Sequence, residues 1–170
     1  MAGTVFFSVS MSLDGFIAPE ERVGDLDAQR WMAQWMELQQ WIFPLRFFRE
    51  NLKLGEGGEE GRDNDIARET FERPGGTTFH FVNDGIETAL DQARKAAGDR
   101  DVRIAGGGAT ILEYVNAGLV DEFAIALSPV LFGSGIRLFE GVDAGRVALE
   151  PVRAEPTQRV THLTYAVRER

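Results

Sequence analysis

The middle of the chain alternates strand and helix patterns so regularly that few architectures remain open to it. Thr77 to Val82 reads as a strand, and Asn83-Asp84 caps a helix from Gly85 to Ala97 with Ile86, Leu90, Ala93 and Ala97 on one face. Gly98 stands where a helix C-cap belongs. Val102 to Ala105 reads as a second strand and Gly106-Gly107-Gly108 as a turn. A helix from Ala109 to Ala117 follows, with Ile111, Leu112 and Val115 apolar, and Glu122 to Leu127 is a third strand. A β-α-β-α-β run gives parallel strands joined by right-handed crossovers.

The flanks fit around that unit. In Thr4 to Ser12, Val5, Phe7, Val9 and Met11 alternate with Phe6, Ser8 and Ser10, which predicts a strand with one fully apolar face. Leu13-Asp14-Gly15 breaks it as a turn. Asp27 to Asn51 is helical in pattern, with Trp31, Trp35, Leu38 and Ile42 at helical spacing. Asp25 or Asp27 is placed to cap its start, Pro44 to end it, and Arg46 to Leu52 to form a second short helix. The Trp and Met stripe reads as core or subunit interface, because large aromatics dominate burial. Arg146 to Glu155 and Val160 to Arg168 read as a terminal antiparallel hairpin around Pro156. The expectation is an α/β fold: one domain over residues 1–170, a mixed, mostly parallel sheet, and helices on its faces.

Composition narrows the function classes. With no Cys among 170 residues, disulfides, thiolate metal sites and Cys nucleophiles are excluded, and two distant His make a His-based zinc site a poor reading. No metal is expected. Gly55 to Asp65 is acidic and glycine-rich but lacks the ligand order of an EF-hand. It reads as a loop in which Asp63, Asn64 or Asp65 caps a helix from Ile66 to Glu72, ended by Arg73-Pro74-Gly75-Gly76. A net charge of −9 argues against nucleic acid and anionic membranes as partners. The first basic residue is Arg22 and no apolar run is membrane-long, so a cytoplasmic protein is expected.

Three segments are placed to carry chemistry. In Ile104 to Thr110 a strand ends, three glycines turn the chain and a helix begins. Glycine lets backbone approach a ligand, and a helix N-terminus offers free N–H groups to an anion. Ile111 stands where the dinucleotide fingerprint needs a third Gly, so this is not an ordinary Rossmann site, and a ligand-free tight turn fits the residues equally well. Ser10, Ser12 and Asp14 close the first strand. If that strand is parallel to the others, Asp14 shares an edge with the Gly106 turn, where it could bind ring N–H groups or transfer a proton. An Asx-turn role before Gly15 is equally open. Ser128-Pro129 with Gly133 and Gly135 is a substrate-covering loop or a plain connection between strands. His80 and His162 lack a triad context and read as structural.

The stretches SVSMSLDGFIA, GGTTFHFVNDGIETALDQARKAAGDRDVRIAGGGATILEYVNAGLVDE and SPVLFGSGIRLFEG, in that order, resemble the bacterial dihydrofolate reductase-like family. That family shares its fold with the reductase domain of riboflavin biosynthesis enzymes. The resemblance covers most of residues 4–20 and 74–167. It implies a three-layer α/β/α fold and a homodimeric, NADPH-dependent reductase of a pterin- or pyrimidine-like small molecule. On this reading the cofactor pyrophosphate lies on Gly106, Gly107 and Gly108, with Ala109 and Thr110 at the helix start, and the nicotinamide near Ser10. The substrate faces Ser12, Asp14, Pro129, Leu131 and Gly133, and Asp14 is the catalytic residue.

The departure from the family is local. Relatives carry a helix entering a Gly-Arg-(Arg or Lys)-Thr-Phe type motif, then a strand ending in Leu-Thr-His or similar. That segment supplies a sheet strand and much of the adenosine and 2′-phosphate site. Here Ile66 to Glu72 runs almost directly into Arg73-Pro74-Gly75-Gly76. Without the segment, one cofactor-phosphate site is lost and a sheet edge opens. An open edge invites pairing with another chain or coverage by the Trp-rich helix. Arg62, Arg68 and Arg73 are the candidates to replace the lost phosphate contacts. The alternative is therefore a relative that has lost NADPH binding and uses its cleft for a small molecule or a cofactor-free reaction.

Overall fold

The structure is a computed structural model that describes residues 3–20, 25–71 and 78–170. Strand β1 (Val5–Ser12) lies inside a five-stranded sheet. It pairs in parallel with β3 (Val102–Arg103) on one side and β4 (Glu122–Ser128) on the other. Strand β7 (Thr161–Glu169) runs antiparallel to β4, and β6 (Val147–Pro156) antiparallel to β7, giving the order β3-β1-β4-β7-β6. This is the mixed sheet with a terminal hairpin that the sequence predicts. A separate ribbon pairs β2 (Phe16–Ala18) with β5 (Ile136–Arg137).

Five helices complete the layers. α1 (Asp25–Gln39), α2 (Arg46–Asn51) and α3 (Arg62–Phe71) come first; α4 (Ile86–Ala97) and α5 (Gly108–Asn116) follow. The apolar face of β1 behaves as its alternation requires. Val5 and Phe7 are fully buried with Phe123 and Ile125 of β4, Leu90 of α4, and Ile111 and Val115 of α5. The Phe7 and Phe123 rings stack at 5.1 Å. Each such side chain contributes about 1.5–3 kcal/mol through burial. On the opposite face, Trp41, Leu45, Phe47 and Ala67 pack with Ala126 and Val160. The sheet therefore lies between two helical layers.

Helix boundaries shift where side chains compete for backbone groups. α1 ends at Gln39, five residues before Pro44, and Leu45 is extended and bridges Glu59 before α2 begins. α3 starts at Arg62, earlier than expected, which puts Asp63 and Asp65 inside its first turn, where acidic side chains suit the helix dipole. Asn64 caps a different helix: its Oδ1 accepts the Phe47 N–H of α2 at 2.8 Å. The Asp25 and Asp27 side chains and the Arg73 to Gly76 helix stop lie outside the described residues.

The largest departure is the expected strand from Thr77 to Val82. Thr77 lies outside the described residues, and Thr78 to Val82 is irregular, with Phe79 80% and Phe81 94% exposed. A strand exists only where a neighbour takes its backbone hydrogen bonds. Among the described residues no strand pairs with the outer edge of β3, which is itself two residues long. Nor does α1 cover that edge. Its C-terminal end sits over the opposite end of β1 and β4: Ser128 Oγ donates to the Leu38 carbonyl and Ser10 Oγ to Gln39 Oε1.

Candidate functional site

β3, β1 and β4 run parallel, with β1 and β4 ending together at Ser12 and Ser128 and the chain after β3 leading toward the same edge, and open α/β sheets bind ligands beyond such carboxyl ends. The glycine turn, the Ser12 to Gly15 turn, the 129–135 loop and the β2–β5 ribbon converge there. The glycines differ in purpose. A Cβ on Gly106 would come 2.9 Å from Thr110 Cβ, and Gly108 is buried where a Cβ would meet Ile136 at 3.3 Å and Ile17 at 3.4 Å. Gly107 faces open space. It also N-caps α5 with no side-chain cap, and its carbonyl accepts the Ile111 N–H. Gly106, Gly107, Ala109 and Thr110 are exposed. The first amides of α5 thus stand at an open surface with no capping side chain, which is what an anion requires.

Asp14 shares this edge, but its carboxylate is already engaged. It accepts from Ser12 Oγ at 2.6 Å, from the Phe132 N–H at 3.1 Å and from the Gly133 N–H at 2.7 Å. Burial pushes its pKa up, and the hydrogen bonds from Ser12, Gly133 and Phe132 outweigh it, holding the group down at about 2. The geometry makes Asp14 a latch for the 129–135 loop. The same region is fastened by Leu13 N–H to the Val130 carbonyl and by Arg137, whose guanidinium donates to the Asp14 carbonyl and lies 4.3 Å from the Phe16 ring.

The two serines are also engaged within the protein. Ser12 is fully buried, donating to Asp14 and accepting the Phe16 N–H at 2.9 Å. Ser10 is buried beneath Trp41, accepting from its Nε1 and donating to Gln39, both at 2.9 Å. Both hydroxyls fix turns and helices. Pro129, Leu131 and Gly133 are exposed, Leu131 at 72%, while Phe132 between them is buried with Phe16 and Leu38. Arg62 pairs with Glu155 and Glu69, and Arg68 with Glu50, so these two arginines are committed to structure; Arg73 lies outside the described residues.

A second concave region lies away from this edge. A cleft of about 960 Å³ opens over the sheet face between α3 and the α4–β3 connection. Ser8, Ala124 and Thr164 share its floor, with Trp41 and His162 at one end. His162 Nε2 lies 2.8 Å from Asp63 Oδ1, with the two side chains 7% and 13% exposed, and the Trp41 ring meets the imidazole edge-on at 5.2 Å. This pair escapes a linear reading because its members are 99 residues apart. The one signal was a histidine in the alternating register of β7. His80, by contrast, is exposed and outside any strand.

Comparison with known proteins agrees with this architecture. The Acinetobacter baumannii protein RibD superposes with a TM-score of 0.57 at 16% identity, covering 98% of this chain and 58% of that one. Saccharomyces cerevisiae riboflavin biosynthesis reductase Rib7 superposes at 0.52 and 12% identity, covering 98% and 90%. The uncharacterized protein YyaP of Bacillus subtilis is 39% identical over 59 residues, which is 35% of this chain and only 31% of YyaP. Residues 62–163, more than half of the chain, match the RibD C-terminal domain, and the protein belongs to that family.

Proposed function

We propose that this domain is an NADPH-dependent reductase acting on a small pterin- or pyrimidine-like heterocycle. The observation that carries this reading is the open, uncapped N-terminus of α5 behind the glycine turn, at the carboxyl edge of the parallel strands. The residues present suit a pyrophosphate: the amides of Gly107, Gly108, Ala109 and Thr110 precede the first intrahelical bond of α5, and Gly107 leaves room for close approach. Bound NADPH would supply the hydride. Arg137 adds positive charge nearby, and Leu131 and Ile136 offer exposed apolar surface to a ring. Asp14 acts by holding the 129–135 loop against this surface. The reading includes a homodimer located in the cytoplasm, as in the family that the sequence resembles.

A second reading has the fold retained and NADPH binding lost. It is favoured by the sealing of Ser10 and Ser12, which leaves the nicotinamide end without the contacts expected of it. Thermal denaturation with NADPH, and with NADH as control, separates the two. Ligand at a hundred times its dissociation constant adds about 2.7 kcal/mol of stability. A shift with NADPH that Gly107→Asp abolishes supports the reductase reading. No shift with either nucleotide overturns it in favour of the second.

A further inference from the structure

We propose that the cleft over the Ser8, Ala124 and Thr164 face is a ligand site separate from the strand-end edge, with His162 as its hydrogen-bonding anchor, and that it takes a planar aromatic molecule carrying N–H donors, neutral or cationic. Three observations converge on it. The first is space. About 960 Å³ lies at the upper end of the range of small-molecule pockets, and it sits over small side chains on strands whose other face carries Phe7, Phe123 and Tyr165.

The second is a buried polar pair that the packing of the fold does not call for. A buried His–Asp pair is weak evidence for stability, since an apolar pair of the same volume usually does as well. Here it is also held in one orientation. Trp41 packs edge-on against the imidazole, and Trp41 is itself tied to Ser10. Asp63 as a carboxylate only accepts, so the shared hydrogen belongs to Nε2. In the neutral ring Nδ1 is then an acceptor. Among the described residues Nδ1 has no protein partner, and the ring lines the cleft. The complement of a fixed acceptor is a ligand N–H.

The third is charge. Glu69, Asp99, Asp101 and Glu122 line the cleft with Arg100 and Arg153, and Arg62 lies 3.5 Å from Glu69. Arg100 is turned onto the Ala96 and Ala97 carbonyls at the end of α4, and Arg153 lies 3.8 Å from Glu69. Both lining arginines are thus engaged, so an anionic ligand finds no ready cation among the lining residues, whereas a neutral or cationic one needs none. The cleft is therefore unsuited to a nucleotide phosphate, and its ligand differs in kind from that of the α5 N-terminus.

The test uses three isosteric probes: benzamidine, benzamide and benzoate. Each is titrated into ¹⁵N-labelled protein while the Trp41 indole N–H and the His162 ring resonances are followed. The expected result is saturable perturbation of both by benzamidine and benzamide and none by benzoate. His162→Phe should weaken binding about tenfold, the effect of removing one buried hydrogen bond. Thr164→Phe, which fills the floor without touching the pair, should abolish binding in a chain whose spectrum is otherwise native. Equal binding of benzoate, binding indifferent to both substitutions, or no saturable perturbation by any probe overturns the proposal. No nucleotide is involved, so the outcome is independent of the NADPH titration.

Discussion

Along β1 and β4 alternate side chains go to opposite faces of one sheet, and the two faces differ in kind. One collects Val5, Phe7, Phe123 and Ile125, closed by α4 and α5. The other collects Ser8, Ser10, Ala124 and Ala126, is covered by α1 to α3 at one end, and stands open as a cleft at the other. The backbone hydrogen bonds are common to both, so the difference lies in side-chain volume and polarity alone. A face of large apolar groups draws a helix down onto it, whereas a face of small side chains is covered where α1 to α3 bring their own apolar groups and hydrogen bonds to it, and leaves room elsewhere.

That contrast breaks most visibly at Phe7. Phe7→Ala removes a fully buried, stacked ring and should cost about 3–5 kcal/mol in urea denaturation. A loss under 1 kcal/mol would mean that this face is not closely packed. On the open face the costly change is electrostatic. Asp63→Ala strips His162 of its partner and should cost about 1–3 kcal/mol, measured the same way.

At the end of the polar row, Asp14 makes stability depend on acid. Its folded pKa of about 2 lies below the ordinary 3.8, so its contribution is complete above the ordinary value and is lost as pH falls through about 2. Asp14→Asn should cost about 1–2 kcal/mol at pH 7, and the difference from wild type should close between about pH 4 and pH 2. A gap that persists in acid would assign the cost to lost packing. The smallest effect sharpens the comparison best. Ala124→Val adds bulk over the cleft and should change stability by no more than about 0.5 kcal/mol, since a strand accepts Val and space is available.

These differences were legible in the sequence to unequal degrees. The alternation of β1 and the glycine turn before α5 are local patterns, and the structure follows both within a residue or two. Phe79 and Phe81 carry the same period-two signal and form no strand, because pairing is decided by a neighbour far away in sequence. Ser10, Ser12 and Asp14 sit at the strand end where expected. Their composition, however, does not reveal that Trp41, Phe16 and the Phe132 and Gly133 amides take up their polar atoms first. The Asp63–His162 pair is illegible for the same reason, since neither residue has a local pattern that points to the other.

The placement of β1 between β3 and β4 also bears on how the chain is made. β1 leaves the ribosome well before its anchors: Thr4 donates to Asp101, 97 residues on, and Val5 to Asp121, 116 residues on. At ~5–20 residues per second, its apolar face waits on the order of ten seconds for a partner. Valine and phenylalanine side chains that end buried in the core thus spend that interval in water during synthesis. That interval adds to the exposure of this protein to misassembly.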